Sequence, residues 1–451
     1  MTERHDGSPG VPPTRHRALL AAILALVVSL SAAIYTVADA ANDGDDPRAA
    51  PRPARFPAAP VSTGVWVGTW AAAPVGGEPD TGTGGLAGRT VRNVVHTSVG
   101  GTGARITLSN LYGTRPLTVT AATLAVAAGD GPAAVPGTLR RLTFGGAGTL
   151  VVPPGGQAVS DAVALAVPAD SDVLVSTYTP ESAGPVTHHR HARRTSYVAD
   201  GEHTEDPTGT AYTGRSTSWR HLTALDVLSD EADGTVVAFG DSLTDGVTST
   251  PDADRRWPDV LSDRLRAVVA AGGDAPRLGV VNAGISGNQV LAAGPGEPAE
   301  NPSGLDRFAR DVLGRPNVRV VVVDLGVNDI LRNRDLADPD AVIDGLRTLV
   351  RRAHAHGVKV VGATLMPFRG HRGYTDARED VRRRINAEIR SGTVFDDVAD
   401  VDEALRDPYD PRRLRSDYDS GDHLHPSDKG YRRMAETIAP EQLTGSAPAR
   451  L

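Results

Sequence analysis

Four short runs in the C-terminal half of the chain are apolar and β-branched almost throughout: TVVAF (235–239), LGVVN (278–282), VRVVVVDL (318–325) and KVVGAT (359–364). A strand with one wet face alternates apolar and polar residues. A run that is apolar at nearly every position belongs to a sheet covered on both faces. Helical patterns lie between the runs. In the clearest, Asp338 suits the cap and Pro339 the first turn. Val342, Ile343, Leu346, Leu349, Val350 and Ala353 then form one apolar stripe, and Gly357 follows its end. Strand, helix, strand in this order requires right-handed crossovers, so residues 231–441 are predicted to form an α/β, doubly wound parallel sheet.

Upstream, the pattern is different. Across 65–230 the signals are short, partly alternating strands at 90–97, 104–110, 117–126 and 172–178, separated by glycine-rich turns. They predict an all-β sandwich or jelly roll. Residues 41–64 are rich in Pro, Ala and Arg and read as an extended linker, and 442–451 as a tail. At the N-terminus, Arg15, His16 and Arg17 precede an apolar run over 18–37, and Ala38-Asp39-Ala40 follows. Residues 1–40 therefore read as an export signal or an N-terminal membrane anchor, the run being about the twenty residues that span a bilayer. The expected location is secreted, or attached through 18–37 to the outer face of the cytoplasmic membrane.

Composition narrows the chemistry. A net charge of −8 argues against nucleic acid as a partner. The chain has no cysteine, so disulfides, thiolate nucleophiles and Cys-ligated zinc are excluded. Ligands of doubly wound sheets bind beyond the carboxyl ends of the strands. Those ends carry Gly240-Asp241-Ser242-Leu243-Thr244-Asp245-Gly246, then Asn282 to Asn288 (NAGISGN), then Gly326-Val327-Asn328-Asp329. Near the C-terminus stands Asp422-His423-Leu424-His425-Pro426. Each has a bland reading: a serine in a turn, an asparagine or aspartate capping a helix, a surface histidine. Four such blocks in order, each at a strand end or an equivalent loop, favour a site.

The blocks resemble those of the SGNH hydrolase superfamily, also called GDSL esterases and lipases: GDSLTDG its first, NAGISGN its second, GVND its third and DHLHP its fifth. RRWPDVLSDRL (255–265) and DSGDHLHPSDKGY (419–431) extend the likeness over roughly 236–439. WVGTWAAAP, VRNVVHTSVGG and ARITLSNLYGT (66–74, 91–101 and 104–114) are similar to the β-domain of an exported two-domain subgroup. The resemblance implies a flavodoxin-like sheet. It also implies Ser242 as nucleophile, His425 as base and Asp422 as the acid orienting it. The Ser242 and Gly287 N–H groups with the Asn328 amide would form the oxyanion hole. His423 is a rival base, set aside because only His425 makes the D-x-x-H spacing. The absence of G-x-S-x-G argues against an α/β-hydrolase. Asp241, Asp245 and Asp329 read as loop-bracing acids, and Trp257-Pro258 as the start of a packed helix.

His188, His189 and His191, beside Arg190, Arg193 and Arg194, read as a solvated loop rather than a metal site. No metal or other cofactor is expected. The expected activity is hydrolysis of a small acyl ester of carbohydrate or lipid, the partners being the ester, acylated polysaccharide or lipid. Aromatics make up only 4 % of the chain, which weakens the rival reading of a non-catalytic carbohydrate-binding surface protein. Acyl transfer to a sugar alcohol by the same triad stands as a further alternative.

Overall fold

The computed structural model describes residues 64–294 and 301–446. The proposed signal or anchor and most of the linker lie outside the described residues.

The C-terminal part holds five parallel strands, numbered here β1 (Gly234–Gly240), β2 (Leu278–Gly284), β3 (Val318–Asp324), β4 (Lys359–Ala363) and β5 (Asp397–Ala399). Their order in the sheet is β2-β1-β3-β4-β5, the flavodoxin-like arrangement, with its switch point between β1 and β3. Every residue of β1 is buried, as are Val320–Asp324 of β3. This is why their sequences lack alternation. The stripe after Asp338 forms the helix Pro339–His354, and all six of its apolar residues are buried. Trp257 begins the helix Trp257–Ala270 and is itself buried in the core.

Residues 65–229 form two large antiparallel sheets and two short two-stranded ones. One joins Val65–Ala71, Leu222–Ser229, Gly101–Ser109 and Gln157–Val159, with Val163–Val167 also paired to the third strand. The other has six strands, including Arg89–His96, Asp172–Thr179, Ala121–Val126 and Ser196–Asp200. Val67, Ile106 and Val227 of the first sheet share a core with Val95, Leu124, Val173 and Val175 of the second. Leu174, one residue out of phase, joins Val94 and Tyr197 in a separate cluster. Period-two patterning thus sets the sandwich faces.

The single strand expected over 117–126 is two strands. Leu117–Val119 pairs with Leu150–Val152, whereas Ala121–Val126 pairs with Asp172–Thr179. The chain changes partner at Thr120, and a single alternating run cannot report that change.

The sandwich and the parallel sheet meet at close range. The Gly68 N–H donates to Thr235 Oγ1 at 2.9 Å, and Ser98 Oγ accepts from the Val280 N–H at 3.0 Å. A side chain at Gly279 would overlap the Gly68 carbonyl oxygen. Gly279→Ala is therefore expected to cost ~1–3 kcal/mol by forcing these backbones apart. A fall in the denaturant midpoint at unchanged slope checks this; an unchanged midpoint would show that the contact yields freely.

Candidate active site

The Ser242 position is built by local backbone. β1 ends at Gly240, and Asp241 caps the one-turn helix Ser242–Asp245 by accepting from the Leu243 N–H at 3.0 Å. Ser242 stands at its first position, 7 % exposed. Across a cleft, the loop before the last helix supplies two side chains. His425 Nε2 lies 2.9 Å from Ser242 Oγ, and His425 Nδ1 lies 2.6 Å from Asp422 Oδ2. The other Asp422 oxygen accepts the Leu424 and His425 N–H groups at 3.0 and 2.8 Å. Burial alone would raise the Asp422 carboxyl. The hydrogen bonds from the His425 backbone and ring, with the attraction of His425, outweigh burial and hold it below the usual carboxylate range. An ionised carboxylate at Nδ1 fixes the tautomer that leaves Nε2 free to take the serine proton.

Gly287 and Asn328 line the same cleft, of ≈ 430 Å³. Gly287 has φ +80°, and a Cβ there would run into the Arg332 guanidinium. Asn328 lies in the short helix Val327–Leu331 after β3. Its Nδ2 donates to Asp241 Oδ2 at 2.9 Å, and its Oδ1 accepts from Arg332 Nε at 3.2 Å. The carboxamide is thus held from both ends, with a second N–H left for a ligand. Ser242, His425, Gly287 and Asn328 are brought together around this cleft, with Asp422 behind His425.

The other acids brace loops. Asp329 accepts the Val290 and Leu291 N–H groups at 2.8 and 3.1 Å. Burial and the neighbouring Asp324 push the Asp241 carboxyl upward, and burial brings Asp324 to about 6. His423 pairs with Asp419 at 2.6 Å, not with Ser242. Asn288 donates to Asn301 Oδ1 and the Pro302 carbonyl and accepts from Arg307, so its groups are committed to structure.

One expectation is corrected. His188 and His189 are not in a solvated loop; they form a buried strand paired with Trp219–Arg220, and only His191 is exposed. Burial is tolerated because the rings have partners. His188 Nδ1 lies 3.3 Å from the Gly76 carbonyl and His189 Nδ1 lies 2.7 Å from that of Ala73. His189 Nε2 reaches Asp245 Oδ1 at 3.0 Å, and Asp245 Oδ2 accepts the Ser286 N–H and hydroxyl at 3.1 and 2.5 Å. A sandwich side chain therefore holds the acid that holds the residue before Gly287.

Residues 238–433 match the family model described as GDSL-like Lipase/Acylhydrolase family. These residues form a GDSL-like lipase/acylhydrolase domain. No curated protein matches the chain. Among solved structures, the lipase/acylhydrolase from Enterococcus faecalis is 22% identical, covering 48% of this chain and 99% of its own, with TM-score 0.35. A catalytic mutant of an acetylxylan esterase from Geobacillus stearothermophilus is 21% identical, covering 46% and 92%, with TM-score 0.34. A GDSL-like lipase from Bacteroides thetaiotaomicron is 20% identical, covering 45% and 84%, with TM-score 0.32.

Within this GDSL-like domain, two arginines have no signal in the sequence. Arg332 looks like any surface arginine after a helix. Arg307 lies in an unremarkable helical stretch, yet it is fully buried. Its guanidinium donates to the Gly240 and Ala283 carbonyls at 2.8 and 2.7 Å and to Asn288 Oδ1 at 2.8 Å. Burial brings its pKa down to about 10, so it stays charged at neutral pH.

His189→Ala should lower kcat on a soluble ester by roughly ten- to a hundredfold, the scale on which small misplacements act, while KM changes little. Steady-state kinetics beside a melting curve check this. A loss of stability with kcat intact would make His189 a packing residue only.

Proposed function

We propose that this protein hydrolyses carboxylic esters through an acyl-enzyme on Ser242. The observation that carries the reading is the unbroken hydrogen-bonded chain from Ser242 Oγ through both His425 nitrogens to Asp422. A serine hydroxyl is a weak nucleophile until a base takes its proton. His425 Nε2 takes that proton as Oγ attacks the ester carbonyl. The developing oxyanion receives hydrogen bonds from the Ser242 and Gly287 N–H groups and the Asn328 amide. Collapse breaks the bond to the alkoxy oxygen, which takes the proton back from Nε2 and leaves as the alcohol. Water then repeats the cycle on the acyl-enzyme, releasing the acid and restoring Ser242. Asp422 stabilises the imidazolium in both halves.

The reading extends to a small acyl group on carbohydrate or lipid. The apolar part of the cleft is short: Val247, Leu331 and Leu424 are its aliphatic walls. A long chain would lie largely in water, losing the roughly 0.8 kcal/mol that each buried methylene contributes. The apolar run over 18–37 supports an exported protein, the family's activity then being spent on esters outside the cytoplasm.

Ser242→Ala and His425→Ala should fall by on the order of 10⁶ in kcat, near background. Asn328→Ala should fall by only ~10²–10³. Wild-type activity in Ser242→Ala would end the assignment. For the substrate, the purified protein is tested on acetylated glycans and on esters of increasing acyl length. Acetate release with little cleavage of long-chain esters is expected; the reverse order would replace the small-acyl reading with a lipase.

A further inference from the structure

The cleft beside Ser242 is lined by two arginines, Arg332 and Arg372, and by His371 and His425, and among the described residues no carboxylate lines it. In a chain of net charge −8 this is the opposite of the average surface. Several arginines elsewhere are matched to acids. Arg256 pairs with Asp259 at 2.7 Å, Arg382 with Glu379 and Asp402 at 2.7 and 2.9 Å, and Arg390 with Asp400 and Asp402 at 2.6 Å. Arg332 has a neutral partner, the Asn328 side-chain oxygen. Arg372 is exposed and makes no hydrogen bond or ion pair among the described residues.

The two arginines reach the cleft from different elements. Arg332 adjoins Gly287 and Asn328, where the carbonyl oxygen would sit. Arg372 follows His371. A side chain at Gly370, two residues before Arg372, would overlap the His423 ring. That places the loop carrying Arg372 beside the base, where the departing alcohol takes its proton.

We propose that the preferred substrates are esters whose alcohol part carries a carboxylate or another oxyanion, bound by Arg372 on the leaving-group side, with Arg332 adding positive potential across the cleft. The inference rests on the hydrolase reading above and adds the substrate's charge to it. A guanidinium meets such a group with two parallel N–H donors. Acylated acidic sugars and other anionic alcohols share this chemistry. A neutral ester would leave the Arg372 fork with water alone.

The test compares acetate release from 4-acetoxybenzoate and from the neutral 4-acetoxybenzamide, by the full-length protein and by Arg372→Gln and Arg372→Glu. The quantity read is the ratio of kcat/KM for the two esters, so intrinsic leaving-group differences cancel between proteins. Arg372→Gln should lower the ratio by about fivefold, the upper end for a solvent-exposed ion pair, and Arg372→Glu should lower it further. The wild-type ratio should also fall as salt rises from about 0.01 M to about 1 M, because the screening length shrinks from ~30 Å to ~3 Å. A ratio unmoved by both charge removal and salt overturns the inference and leaves the hydrolase standing. So does a charge effect confined to the acyl side, read with 4-nitrophenyl hemisuccinate against 4-nitrophenyl butyrate. Failure of wild type to cleave any of the four esters overturns the hydrolase reading, and this inference with it.

Discussion

The site depends on one buried charge. The Arg307 side chain has no exposed surface, and its guanidinium joins the last carbonyl of β1, the Ala283 carbonyl near the end of β2, and Asn288. Those are the points where the chain leaves the sheet to present Ser242 and Gly287. A lone buried cation would cost several kcal/mol. Here Asp311 at 3.1 Å, the Phe239 ring face at 4.0 Å and the carbonyl oxygens satisfy it. The result is a tie between the strand that ends at Ser242 and the loop that carries Gly287. Lysine, a point charge on a flexible stem, could not make the same fork.

A second tie comes from the sandwich. His189 and Asp245 are both buried, and the Ser286 hydroxyl and N–H complete the chain to the residue before Gly287. Burial alone would raise the Asp245 carboxyl, but the attraction and hydrogen bond of His189, with the bond from Ser286, outweigh it and lower its pKa. The β-region therefore contributes to the preorganisation of the site, not only to its surroundings. Gly68 and Gly279 let the two sheets approach closely enough for this contact. Preorganised donors matter because they need no rearrangement as charge develops.

Much of this was legible in the sequence, and the pattern of success has a physical cause. Runs such as VRVVVVDL carry their burial in their composition, so the parallel sheet could be read directly, whereas its flavodoxin-like order came only with the resemblance. Ser242, Gly287, Asn328, Asp422 and His425 occupy strand ends and loops, where the resemblance supplied roles that spacing alone left open; the structure then brings them around one cleft. What stayed hidden was long-range. The partner change at Thr120 depends on which strand lies alongside. His188 and His189 look solvated among arginines, and only the carbonyls of Gly76 and Ala73 and the Asp245 carboxylate explain their burial. Arg307 and Arg332 differ from surface arginines only in what faces them.

The central claim is that the ester's acyl group passes through Ser242 Oγ. Its most direct test is rapid acid quenching of the protein during turnover of an acetyl ester, followed by proteolysis and mass mapping. The account predicts one acetyl group on the peptide carrying Ser242, localised to that side chain. An acetyl group on another residue, formed and released at the rate of turnover, would contradict it.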